Sequence, residues 1–251
     1  MTGAADGLVR PRYGEASLAD VLPGVLAALG VPAGDPLGLA AGPLAGIRVV
    51  LVLLVDGLGQ QQVRDAAPYA PTLTALAGSG GSDRSGGTSG ANGSSQFGGS
   101  AGWTARVLTA GFPSTTPTSL ASLGTGAAPG RHGLLGFTVN LPGTDRVLNH
   151  IDWWDEPDPG RWQPLATQFD RAEAAGVATR VVSRPEFAGS GLTVAAYRGG
   201  AYVPAAGVDA LAQEMLALAA AAAGPTLVYG YHPELDKAGH WYGLGSEQWR
   251  Q

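Results

Sequence analysis

Val49-Val50-Leu51-Val52-Leu53-Leu54-Val55 runs straight into Asp56-Gly57, and this stretch decides the fold. A continuous, Val-rich apolar run without alternation reads as a strand over 47–55 buried on both faces, as strands of a parallel sheet are. In open α/β sheets, ligands gather beyond the carboxyl ends of the strands. Asp56 would therefore arrive at the functional edge. The plain alternative is an Asp-Gly turn that merely closes a strand. The long apolar run ahead of it favours function, because it places a carboxylate at the rim of a buried sheet.

Working outward, short helices are expected at about 58–67 and 70–77. From Gly78 to Gly102 the chain is almost pure Gly, Ser, Asn and Thr. Such a stretch has too little apolar surface to offset its ordering entropy, so 78–102 reads as a flexible insertion. A phosphate-cradling glycine loop is the alternative, but the GxxxxGK[ST] pattern and a preceding strand are both missing. Residues 106–108 form a short apolar piece, and a helix is expected from Ser119 to the Gly124-Thr125-Gly126 stop. Residues 165–175 have helical spacing and 177–183 the character of a strand. Residues 208–223 form an Ala/Leu helix stopped by Gly224-Pro225, and 226–231 a further strand. This alternation predicts an α/β fold, with a mostly parallel sheet flanked by helices.

Composition sets the bounds. The 251 residues can bury a substantial core as one domain, 1–251, and the 45% hydrophobic and 14% charged content is that of a globular chain. A net charge of −5 gives no support to nucleic-acid binding. No apolar run reaches the length of about 18 residues that a membrane span needs. The N-terminus lacks the pattern of a secretion signal. With 0 cysteines there are no disulfides and no thiolate ligands, which fits a cytoplasmic protein. A metal site would have to use His, carboxylates and hydroxyls, which suits zinc, manganese or magnesium.

Two further segments carry chemistry. Asp236-Lys237-Ala238-Gly239-His240 follows the strand at 226–231 and offers a carboxylate and an imidazole at metal-ligand spacing. Its plain alternative is a solvated polar loop. Gly239 permits a tight backbone path, so the two groups are expected to converge without a helix. Phe112-Pro113-Ser114-Thr115-Thr116-Pro117-Thr118-Ser119 is a hydroxyl cluster ahead of a helix. It reads either as a capping turn or as a source of a nucleophile beside helix N–H groups able to bind phosphate. A strand-borne Asp, a hydroxyl nucleophile and a DxxxH pair suggest metal-assisted attack on a phosphate ester.

The order Asp56-Gly57, Phe-Pro-Ser-Thr-Thr-Pro, Thr125-Gly126, Pro129-Gly130-Arg131-His132-Gly133 and Asp236-x-x-Gly-His240 resembles the alkaline-phosphatase superfamily. It is most similar to the nucleotide pyrophosphatase/type I phosphodiesterase branch. The resemblance covers roughly residues 47–140 and 226–245. It implies an alkaline-phosphatase-like catalytic domain with two divalent cations, zinc by the donor set, around a nucleophilic Thr. Thr115 fits that Thr, with Ser114 and Thr116 as alternatives if the alignment shifts by one. Asp56 would ligate the metal that activates Thr115, while Asp236 and His240 would ligate the second. Thr118 stands where relatives often carry an Asn that contacts phosphate, and His132 is expected to be structural. The implied reaction is hydrolysis of small phosphodiester, pyrophosphate or nucleotide substrates through a phospho-threonine, with configuration at phosphorus retained.

One departure shapes the expectation. The family supplies an Asp-His pair and a final His downstream of DxxGH, whereas this chain stops at Gln251, and His150 and His232 do not map onto those positions by order. The domain is therefore expected to be incomplete at the C-terminus. Competing readings are a phosphomonoesterase or phosphonate hydrolase of the same superfamily, and a non-catalytic domain that keeps the α/β shell. A sulfatase is disfavoured, since its C/S-x-P-x-R motif is missing. Trp153 and Trp154 could stack a nucleobase or simply pack.

Overall fold

The computed structural model describes residues 9–77 and 105–251, so the insertion read at 78–102 lies outside the described residues. In chain order these residues form α1 (Val21–Ala28), β1 (Val49–Val55), α2 (Gln60–Asp65), α3 (Pro71–Ala77), α4 (Thr116–Thr125) and α5 (Pro129–His132). There follow β2 (Thr138–Asn140), β3 (Val147–Asn149), α6 (Pro159–Trp162), α7 (Gln168–Ala174), β4 (Ala178–Ser183), α8 (Gly191–Tyr197) and β5 (Ala201–Pro204). The last elements are α9 (Val208–Ala220), β6 (Thr226–His232), α10 (Glu234–Tyr242) and α11 (Glu247–Arg250). Two compact units divide them: residues 1–54 with 108–232, and residues 55–107 with 233–251.

The first unit is an α/β sandwich on a four-stranded sheet of order β1-β6-β4-β5, in which β4 pairs in parallel with both β5 and β6. β6 is buried almost throughout, as a central strand covered on both faces should be. On one face α1, α4, α7 and α8 build the main core around Leu22, Leu26, Leu123, Phe169, Val181, Leu227 and Tyr229. On the other, α9 lays Leu211 and Met215 against Val182 and Val228. A separate antiparallel ribbon joins β2 to β3.

β1 departs from the expectation of full burial. Val50 is buried, but Leu51 and Leu53 are 40% and 53% exposed. The cause is position: β1 ends the strand order among the described residues, and the apolar stripe of α9 packs on β6 and β4. Only one face of β1 meets the core.

Local signals explain the helices that matter for the site. α4 starts at Thr116, three residues earlier than its sequence suggests. Thr115 takes an extended N-cap conformation, and Pro117 sits in the first turn, where its missing N–H costs nothing. Gly126, with φ +67°, closes the helix. Gly124 faces α8 so closely that a Cβ there would collide with the Ala196 carbonyl. α7 begins with a reciprocal Thr167/Asp170 capping box.

Candidate metal centre and nucleophile loop

The second unit contains the acidic half of the candidate site. Directly after β1, the Asp56 carboxylate accepts the Gly57 N–H at 3.0 Å. Gly57 has φ +74°, and a Cβ built on it would lie 2.7 Å from the Asp236 Cα and 3.0 Å from its Cβ. No side chain fits there. The glycine therefore serves twice, giving the chain its left-handed turn and letting Asp236 of α10 approach the backbone at residue 57.

Asp236 and His240 lie on α10, one turn apart, so they share a face of that helix, contrary to the expected helix-free loop. His240 Nε2 is 3.5 Å from Asp236 Oδ2, with the side chains 71% and 33% exposed. Acid near the start and imidazole near the end of a helix both agree with its dipole. Gly239, read as a device for a tight loop, instead gives α11 room: its built Cβ lies 3.1 Å from Leu244 and 3.6 Å from Trp249.

The Asp236 carboxyl is pushed above its ordinary range. Burial is the largest cause, repulsion from Asp56 comes next, and His240 opposes both. Two carboxylates close enough to repel, with an imidazole beside one of them, are the donor chemistry of a divalent cation such as zinc. The residues present fit such an ion by type. Among the described residues, however, no three His, Asp or Glu side chains are gathered into a finished metal cage.

Thr115 belongs to the first unit. Its hydroxyl does not cap the α4 backbone; it donates instead to Thr118 Oγ1 at 2.9 Å. Thr118 is fully buried, so it holds one rotamer of the Thr115 hydroxyl. Of the two alternatives, Ser114 is exposed ahead of the helix and Thr116 is its first helical residue. The structure thus brings Asp56, Asp236 and His240 into one unit and places Thr115 at a helix start in the other.

Two histidines are structural. His132 is buried, and its Nδ1 accepts the Leu134 N–H at 3.1 Å. Nε2 must then carry the proton and donate to Ser122 Oγ at 2.9 Å, the wrong tautomer for a general base. Burial pulls its pKa down to about 4. His150 Nδ1 donates to the Gly136 carbonyl at 2.7 Å while Nε2 accepts from Trp162. Burial lowers its pKa too, against that backbone bond. Trp153 is also core: it is buried and donates to the Pro157 carbonyl, so of the Trp153/Trp154 pair only Trp154 presents a surface.

The parallel sheet flanked by helices is consistent with the class of alkaline-phosphatase-like α/β proteins. The profile of the type I phosphodiesterase/nucleotide pyrophosphatase family matches residues 50–251, and the chain belongs to that family. The family is one of hydrolases that act on phosphodiester and pyrophosphate bonds in small phosphate esters or nucleotides. No curated protein matches the chain. Among the described residues no helix is long and apolar enough to cross a membrane.

Proposed function

We propose that the chain hydrolyses phosphodiester or pyrophosphate bonds of small nucleotide-type substrates through a phospho-threonine on Thr115, with Asp56, Asp236 and His240 as ligands of divalent cations, two zinc ions in the full site. The observation that carries this reading is a partly buried Asp236 carboxyl with Asp56 near it and the His240 imidazole 3.5 Å away: burial first and Asp56 second penalise its charge, and a bound cation would relieve both. A bound divalent cation supplies charge neutralisation at phosphate oxygens and favours the ionised Thr115 hydroxyl.

The chain's own groups account for the rest. Thr118 fixes the Thr115 hydroxyl; its oxygen gives up its proton to solvent and attacks phosphorus as the bond to the leaving alcohol or nucleotide breaks, the leaving oxygen taking a proton from solvent. The phosphoryl group then sits on the N-cap of α4, where backbone N–H groups and the helix dipole favour its negative charge. Water cleaves the Thr115 oxygen–phosphorus bond in a second in-line step. Two inversions leave configuration at phosphorus unchanged.

Hydrolysis of bis(p-nitrophenyl) phosphate with added zinc, comparing the chain with Thr115→Ala, tests this reading. Loss of turnover by at least about a thousandfold in a folded variant is expected of a missing nucleophile. Turnover that survives the substitution would sink the assignment. A second reading, a domain that keeps the shell without catalysis, is favoured by the absence of a gathered three-residue cage among the described residues. It expects a folded, zinc-exposed chain with no turnover.

A further inference from the structure

Ahead of the matched stretch, residues 12–20 form a structure of their own around a buried carboxylate. Asp20 accepts the Gly14 N–H at 3.0 Å through one oxygen. Its other oxygen accepts the Ser17 N–H and the Ser17 hydroxyl, each at 2.8 Å. Both Ser17 and Asp20 are buried, and the short turn Leu18–Asp20 packs on α4. A carboxylate satisfied by three donors makes a rigid turn.

That turn grips the segment leading to Thr115. The Leu18 N–H donates to the Thr109 carbonyl and the Thr109 N–H to the Ala16 carbonyl, both at 2.9 Å, in a parallel bridge. The Arg12 N–H donates to Thr109 Oγ1 at 2.8 Å, and that hydroxyl donates to the Ala16 carbonyl at 3.2 Å. Further along, the Phe112 N–H donates to the Tyr13 hydroxyl at 3.0 Å. Residues 109–112 are thus fixed at Thr109 and again at Phe112, three residues before the proposed nucleophile, although the Phe112 side chain itself is 73% exposed.

We propose that residues 12–20 are a positioning clamp on the nucleophile loop, with the Tyr13 hydroxyl, bonded to the Phe112 N–H, as its tip. The proposal rests on the reading of Thr115 as nucleophile and adds to it. The loop between Thr109 and the start of α4 has no secondary structure of its own, so its path depends on these bonds. In-line attack tolerates little misplacement of the attacking oxygen. Tyr13 touches no reacting atom. It acts by limiting where the loop carries Thr115.

The test compares the wild-type chain, Tyr13→Phe, Thr115→Ala and Tyr202→Phe. Tyr202→Phe removes another tyrosine-to-backbone bond, to the Arg184 carbonyl, as a control for general loosening. Amide exchange at Phe112, melting temperature, and kcat and KM on bis(p-nitrophenyl) phosphate with zinc are measured. Tyr13→Phe is expected to speed exchange at Phe112 and lower kcat about three- to tenfold, the size of one neutral hydrogen bond, with KM near wild type. Tyr202→Phe is expected to leave kcat unchanged. Unchanged exchange at Phe112 overturns the clamp. Faster exchange with unchanged kcat, or an equal loss in Tyr202→Phe, overturns its positioning role. Turnover that survives Thr115→Ala, or none in the wild type, overturns the Thr115 reading instead, and exchange still decides whether the clamp holds the loop.

Discussion

At the scale of single residues, Gly57 does work that no other residue type can do. Any L side chain there meets the backbone of Asp236 at 2.7 Å while occupying a left-handed turn. Gly57→Ala should therefore lower zinc affinity at least tenfold by driving α10 away from Asp56. Gly30 is the control for backbone strain, since its φ is +84° with nothing within 4 Å of a built Cβ. Gly30→Ala should lose about 1–2 kcal/mol of stability from the left-handed conformation, with zinc affinity unchanged. Titration calorimetry with zinc checks both, and equal affinities in the two variants would show that Gly57 does not seat Asp236. The Asp56-Gly57 and DxxGH pairs were legible in the sequence because each is a local pattern after a strand. The Tyr13–Phe112 bond was not, since it joins two ordinary residues 99 positions apart.

At the scale of elements, what could be read followed the strength of the local signal. β1, β4 and β6 stand out as apolar runs, and α9 as an Ala/Leu helix. β5 and α8 do not, because four- and seven-residue elements rest on packing rather than on propensity. The sequence suggests a start of α4 at Ser119, whereas the helix begins at Thr116 with Pro117 in its first turn, a good helix start. α10 is not evident from its sequence, where Gly239 suggests a tight backbone path that needs no helix, yet that glycine is what lets α11 pack. The joint between α4 and α5 carries a prediction of its own. Ser122 on one helix and His132 on the other are bonded through a neutral imidazole whose pKa is depressed from 6.5 to about 4. The unfolded chain takes up a proton near 6.5 and the folded chain does not, so this stability is complete above pH 6.5 and is lost as pH falls towards 4. The loss amounts to about 3 kcal/mol. Urea melts from pH 7.5 to 4.5 should show it, and His132→Gln should be less stable at neutral pH but flatter across that range. An equally steep fall in the variant would assign the pH dependence to other groups.

At the scale of the whole molecule, the proposed ligand role of Asp236 sets stability against function. The folded-state pKa of Asp236 is raised, so the fold favours its protonated form. The stability this provides is present at pH below the unfolded carboxylate value and disappears as pH rises through the folded one. Ionising Asp236 in this fold without a cation therefore carries a cost, from burial first and from Asp56 second. Asp236→Asn removes that charge and should raise the melting temperature by a few degrees at pH 7.5 in chelator, with the gap narrowing as the medium is acidified. Adding zinc should reverse the order: the wild type gains stability by mass action, while the variant, short of a carboxylate ligand, gains little. A site kept for binding commonly lowers the stability of the unliganded fold. Scanning calorimetry of the two proteins with chelator and with zinc gives four melting temperatures. If Asp236→Asn melts lower than wild type in chelator, the charge of Asp236, partly buried and near Asp56, is not a stored cost, and the main physical support for a cation there falls with it.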